Sequence, residues 1–374
     1  MASHALKSVK SGGLTPSLKP GVVIDRRYMD HDMGAWHVES PARIEALLHM
    51  LEKDPPVPYR AIPPRPATGE ELGWVHEPGY VDFIHSTAGK TVTLDGDTTA
   101  GPKTWETALL AAGGFLECLD RVMDGTAGNA IALVRPPGHH AEASRAMGFC
   151  FFNNAAIGAE HLLRRHGLGR VLVVDWDLHH GNGTEQAFYE RREVMYFSTH
   201  QVPLYPGTGA VRFFGRGEGY GYNLNVPLLA GKTDADYLHI FDKVLAPVAA
   251  AFAPDFIIVS AGFDIAAGDP LGGMFVTPAG FGRLTRSLMA MADRTAGGRL
   301  ALVLEGGYDL KALTAGVREV IGALGSKGDK PLSDQPPPLS APASGRPDSL
   351  SPSLGVELEE PLRVFRQRWD IPAA

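Results

Sequence analysis

The sequence predicts an α/β fold, a single mostly parallel β-sheet flanked by helices on both faces. Three observations predict it. Apolar runs at 21–24, 130–134, 171–174, 194–198, 256–260 and 300–304 are mostly continuous rather than alternating, the pattern of strands covered on both sides. Helical stretches lie between these runs, and such alternation implies parallel pairing through crossover connections. Polar, chemistry-bearing residues follow the carboxyl ends of the runs, where open parallel sheets bind ligands.

The helices carry their own signals. Ser40-Pro41 reads as a cap residue followed by proline at the first helical position, opening PARIEALLHMLEKD. Thr68-Gly-Glu-Glu71 has capping-box spacing before another helix. Thr277-Pro278 repeats the cap–proline start, and 154–166 and 233–252 are helical in pattern. There is no internal repeat.

With 374 residues and 44% hydrophobic content the chain can bury a large core; length alone allows two domains, although single α/β domains of this size are common. We divide it into a flexible N-terminal tail at 1–20, a body at 21–325, and a segment at 326–374. That last segment is rich in Pro and Ser over 329–353 and then regains Leu, Val, Phe and Trp, as expected of a linker and a short terminal helix docking on the body. The net charge of −7, without any basic stripe, argues against direct nucleic-acid binding. Cys118 and Cys150 form no CxxC pair, which suits a reducing compartment. No apolar run approaches the roughly 18 residues of a membrane span. The tail lacks an apolar signal core; its Lys and Ser without acid weakly resemble a transit peptide, and a solvated tail on a cytoplasmic protein is the expectation.

The loops behind five of the strands hold the chemistry: RPPGHHAE, DWDLHHGNG, THQVPLYPGTG, AGFDIAAGDP and EGGYDL. Asp177 and His179 are two apart, and in extended backbone positions i and i+2 point to one side. Both can then reach one cation, with Asp264 at a neighbouring strand end as the third ligand, since catalytic zinc takes three protein ligands and keeps one position open. The alternative is a hydrogen-bonded loop network. His139 and His140 follow a stiff Pro-Pro-Gly turn and suit proton transfer near neutral pH; the alternative is a merely structural pair. Asp175 and Asn182 are candidate partners for one ring N–H each, which would leave one histidine cationic and the other neutral. Tyr308 behind Gly306-Gly307 could aim a phenol at a developing oxyanion, or be a core tyrosine at a tight turn.

Taken in order, RPPGHH, GFCFFNN, DWDLHHGNG, SAGFDIAAGDPLGG and LEGGYDL resemble the zinc-dependent histone deacetylase superfamily, with its bacterial deacetylase-like amidohydrolases, acetoin-utilisation proteins and acetylpolyamine amidohydrolases. The likeness spans roughly 21–325, and the Asn of HHGNG with the Glu of EGGY look like the class II branch. It implies an arginase-like fold and one catalytic Zn²⁺ on Asp177, His179 and Asp264. It further implies His139 and His140 as the acid–base pair, with His140 the base, and Tyr308 polarising the acetyl carbonyl. Gly148, Phe149 and Tyr205 would line a narrow acyl-lysine channel, together with Leu271, Gly306 and Gly307. The family often has phenylalanine where Tyr205 stands. A structural K⁺ near the zinc, on Asp175, Asp177, His179, Ser198 and Thr199, is also implied. Asp95 and Asp97 are both candidates for a rim acid that orients substrate.

The implied reaction is hydrolysis of an acetyl or short acyl amide, on acyl-lysine in peptides and proteins or on an acetylated small amine. Leu271 stands where some polyamine-selective relatives carry an acid, which favours acyl-lysine. A binuclear manganese ureohydrolase would need more carboxylates, yet Ile265 and Ala266 follow Asp264. An inactive acyl-lysine reader would have lost Tyr308 or a ligand. A homo-oligomer is compatible with the sequence.

Overall fold

The computed structural model describes residues 18–326 and 349–371. Most of the tail at 1–20 and of the linker at 329–353 therefore lies outside the described residues. The sheet has eight strands: β1 (Gly21–Val23), β2 (Arg60–Ala61), β3 (Ala130–Ala132), β4 (Val171–Asp175), β5 (Val194–Gln201), β6 (Asn223–Leu228), β7 (Phe256–Ala261) and β8 (Leu300–Leu304). Their order is β2-β1-β3-β8-β7-β4-β5-β6, and every neighbouring pair is parallel. The sequence expectation contains the six inner strands. The two it lacks, β2 and β6, are the edges.

Right-handed crossovers fix which helix covers which face. The chain steps in one direction along the sheet from β2 to β3, β4, β5 and β6, so the helices of those connections share a face; Thr104–Met123 accordingly packs on Asn154–Arg164. The steps β1 to β2, β6 to β7 and β7 to β8 run the other way. Their helices cover the second face, where Pro278–Thr295 packs on Leu310–Gly325 and Leu310–Gly325 packs on Ala42–Lys53. The strands between are buried along their length.

Three helix expectations are adjusted. Pro41 itself is the residue before the first helix, which starts at Ala42 without a side-chain cap. The Thr68–Glu71 capping box is present but opens a single turn, Gly69–Leu72. The stretch 233–252 is helical with a π turn at Phe241–Leu245, just where Pro247 cannot donate the next backbone hydrogen bond. Thr277 does cap Pro278–Thr295, accepting the Gly280 N–H.

The terminal helix Leu354–Phe365 docks on edge strand β6. Lys232 pairs with Glu357 at 2.9 Å, and the Trp369 indole donates to the Gly221 carbonyl at 2.6 Å. An edge strand covered in this way cannot template pairing with another chain. No helix among the described residues is long and apolar enough to cross a membrane.

Candidate active site

The carboxyl ends of the five neighbouring strands β3, β8, β7, β4 and β5 converge on one pocket. Behind β4 the backbone bends rather than running extended: Asp175 Oδ1 accepts the Asp177 N–H at 3.1 Å and Asp177 Oδ1 the His179 N–H at 2.8 Å. Asp177 and His179 do share a side, but through these successive turns and not through strand alternation. From β7, Asp264 Oδ1 accepts the Leu178 N–H at 3.0 Å. Its Oδ2 is buried, lies 3.2 Å from His179 Nδ1, and forms no aligned hydrogen bond.

One ligand atom each from Asp177, His179 and Asp264 lie within 4.8 Å of one another. Among the described residues no fourth metal-type side chain joins them. Without a cation the cluster is electrostatically conflicted. Burial and the neighbouring Asp177 push the Asp264 carboxyl up to about 7, while His139 and His179 hold Asp177 well below the usual carboxylate range despite its burial. Burial disfavours a charged His179, but its contacts with Asp177 and Asp264 raise it to about 10. A divalent cation held between the two carboxylates would relieve this repulsion. Two carboxylates, one imidazole and an orphaned carboxylate oxygen fit a three-ligand zinc site.

The tandem histidines have the asymmetric partners expected of them. His139 Nδ1 is 3.0 Å from Asp175 Oδ2, and His140 Nδ1 is 2.8 Å from Asn182 Oδ1. Burial works against charge on both rings. Asp177 and Asp175 overcome it at His139, raised to about 10, whereas the positive charge of His139 and His179 drives His140 well below its ordinary value. The two rings are thus held in opposite protonation tendencies, His139 toward the cation and His140 toward the neutral form.

The pocket above them has a volume of about 240 Å³. Its lining includes both histidines, His179, Tyr308 and the channel candidates Gly148, Phe149, Tyr205, Leu271 and Gly306. Gly148 is at φ 55° and a Cβ there would overlap the His140 ring. Phe149 follows at φ 69°, a left-handed conformation rare outside glycine and here fixed by its N–H bond to Thr98 at 3.0 Å. A Cβ at Gly306 would overlap the Asp264 carboxylate, and its N–H donates to Asp177 at 2.8 Å. Gly307 is a correction: it does not line the pocket. Its φ of 117° turns the chain past Phe263, and its carbonyl accepts from Arg43 at 2.8 Å.

Tyr308 stands against Phe149 with ring centroids 5.9 Å apart, and Arg43 lies 5.1 Å from its centroid. Burial and Asp264 hold its phenol well above the ordinary range, so it remains an O–H donor. Of the two rim acids, Asp97 lines the pocket. Asp95 instead accepts the N–H groups of Asp97 and Thr98 at 3.1 and 2.8 Å, closing the turn of an antiparallel ribbon, Val92–Thr93 with Thr99–Ala100. In the K⁺ candidate set, Asp175 pairs in register with Ser198, and Thr199 Oγ1 is buried without a partner.

The family model for the histone deacetylase domain matches residues 37–324. The chain belongs to the histone deacetylase family. It is 40% identical over 330 residues to histone deacetylase 15 of Arabidopsis thaliana, covering 86% of this chain and 58% of that protein. It is 42% identical over 320 residues to polyamine deacetylase HDAC10 of Homo sapiens, covering 82% of this chain and 46% of that one. A probable deacetylase of Archaeoglobus fulgidus is 38% identical over 294 residues, covering 78% of this chain and 82% of the archaeal protein. The chain thus spans about half the length of the two eukaryotic relatives. The crystal structure of the HDA15 HD domain superposes with a TM-score of 0.84 at 36% identity, covering 94% of this chain and 95% of that one. The fold is therefore that of the deacetylases.

This deacetylase family member also has supporting residues that motif reading passed over. Glu305, at the end of β8, accepts the N–H groups of Gly138 and His139. Fully buried Glu39 ion-pairs with Arg135 and Arg43, and Arg43 in turn donates to the Glu305 and Gly307 carbonyls at 2.5 and 2.8 Å. Asp269 accepts the Tyr308 N–H at 2.7 Å. A signal for Asp269 was present in the GDP motif; Glu39 had none, because nothing local marks a carboxylate that pairs across the fold.

Proposed function

We propose that this chain is a zinc-dependent amidohydrolase that removes acetyl or short acyl groups from acyl-lysine in peptides or proteins. The observation that carries the reading is the meeting of Asp177, His179 and Asp264 beneath a pocket that also holds a base, an acid and a phenol donor. A zinc ion on those three ligands would supply Lewis acidity toward the acyl carbonyl and acidify water.

The chain's own groups account for the proton movements. His140 has Nδ1 occupied by Asn182, so Nε2 is the nitrogen that takes a proton from water as it attacks the acyl carbon. Tyr308 donates its O–H to the oxyanion that develops on the former carbonyl. The C–N bond then breaks as a protonated histidine of the pair delivers a proton to the leaving nitrogen, giving acetate and a free amine. Tyr205 and Phe149 enclose the alkyl stem and exclude water. A K⁺ on Asp175, Asp177, His179, Ser198 and Thr199 would stiffen the same loops, a reading supported by the unpartnered Thr199 hydroxyl.

Leu271 in the pocket lining offers no charge to a second ammonium, which favours acyl-lysine. Deacetylation of an acetylated polyamine is the second reading, favoured by acidic Asp97 at the pocket and by the likeness to HDAC10. Zinc-loaded protein assayed on acetyl-, propionyl- and trifluoroacetyl-lysine peptides and on acetylated polyamines decides between them. Peptides should turn over with the higher kcat/KM. A preference for the polyamines would overturn the substrate assignment, and no turnover of either would overturn the enzyme.

A further inference from the structure

A second cluster of metal-type side chains lies at the other end of the sheet. Asp120 is in the last turn of Thr104–Met123, His161 near the end of Asn154–Arg164, and His166 two residues beyond that helix, ahead of β4. The helix that carries His161 begins beside the pocket, where Asn154 bonds the Pro136 carbonyl, and runs about 16 Å away from it at 1.5 Å per residue. None of these residues contributes to the acetyl-lysine chemistry.

The geometry is that of a ligand set. His161 Nε2 and His166 Nε2 each lie 2.7 Å from the same oxygen, Asp120 Oδ1, and the two rings are inclined at 73° with centroids 5.2 Å apart. One ligand atom from each residue falls within 4.8 Å of the others. The His161 side chain is 6% exposed and those of Asp120 and His166 are 28% and 24%, so the set has one dry side and one side open to a water ligand. His161 Nδ1 is buried without a hydrogen bond, so among the described residues the ring's hydrogen bonding is at Nε2. The nearest acid on the same helix, Glu117, is already neutralised by Arg65 and Arg121.

We propose that Asp120, His161 and His166 form a second site for a borderline divalent cation such as Zn²⁺, separate from the active site. Two imidazoles and one carboxylate with an open fourth position are a zinc-type donor set. A metal there would take both Nε2 atoms as neutral imidazole donors, so binding would compete with protons. The bound ion clamps two helices and the approach to β4, the strand whose far end carries Asp175. It acts on stability and not on chemistry.

The test counts metal on the full chain. Chelator-stripped protein is titrated with Zn²⁺ against a chromophoric chelator, and zinc is measured after gel filtration. Wild type should bind two equivalents. His166→Asn and Asp120→Asn should each bind one, with unchanged turnover of an acetyl-lysine peptide and a lower Tm in Zn²⁺ than wild type. His179→Ala should also keep one, and X-ray absorption of that remaining zinc should show two imidazoles. A wild-type stoichiometry of one that falls to zero in His179→Ala would overturn the proposal. So would two equivalents that survive His166→Asn and Asp120→Asn, or an absorption spectrum lacking imidazole.

Discussion

Glu305 Oε2 accepts the backbone N–H of His139 at 3.1 Å, and the same oxygen accepts that of Gly138 at 2.7 Å. Burial pushes this carboxyl up to about 7 against the opposing charge of His139. The end of β8 thereby fixes the turn that aims both histidines. Glu305→Gln keeps an acceptor and should retain most activity. Glu305→Ala orphans two buried donors, at roughly 1–3 kcal/mol each, and should lower both urea stability and kcat while leaving KM little changed. An alanine variant as stable and active as wild type would remove this positioning role.

Tyr308→Phe deletes from the pocket the phenol O–H that we propose binds the oxyanion. A loss on the order of 10²–10³ in kcat is expected, with zinc content unchanged. Full activity in that variant would mean another group holds the oxyanion.

Asp97 is the acid that faces the pocket, and burial together with Asp95 raises its carboxyl above the ordinary range. Asp97→Asn should raise KM for an acetyl-lysine peptide about tenfold, the worth of one charge-assisted hydrogen bond, with little change in kcat. An unaltered KM would show that substrate is not oriented there.

His76 sets an acid limit on stability. Its Nε2 accepts the Asn153 N–H at 2.9 Å and its Nδ1 faces the Glu142 carbonyl at 3.0 Å, so protonation would set two N–H groups against each other. Burial lowers its pKa from 6.5 to about 4, whereas the unfolded chain titrates at the higher value. The unfolded state therefore binds the extra proton in that window. The contribution is complete above the upper limit and falls as pH drops toward the lower one, by roughly 3 kcal/mol in total. His76→Gln should flatten this part of the stability–pH curve measured by urea unfolding; an unchanged slope would assign it to other groups.

The sequence made legible what is written locally. Continuous apolar runs marked the six inner strands, and His139, Asp177 and Asp264 stood at strand ends where parallel sheets collect ligands. Other features were decided by tertiary contact. The helix Thr104–Met123 carries Gly113-Gly114 at its middle, a pair that weakens helix propensity; a Cβ on either would overlap Arg65 backbone or the Tyr28 hydroxyl, so packing required them. Edge strand β6, NLNVPL, mixes Asn and Pro with apolar residues and pairs on one side only. Gly307 looked like Gly306 in sequence, and only the turn past Phe263 separates their roles.

The most direct test of the account is metal dependence at the three ligands. Chelator-stripped wild type should be inactive on an acetyl-lysine peptide and regain turnover on adding Zn²⁺, whereas His179→Ala and Asp264→Asn should stay inactive with that zinc equivalent lost. Full turnover by the stripped protein, or undiminished zinc content and activity in both variants, would contradict it.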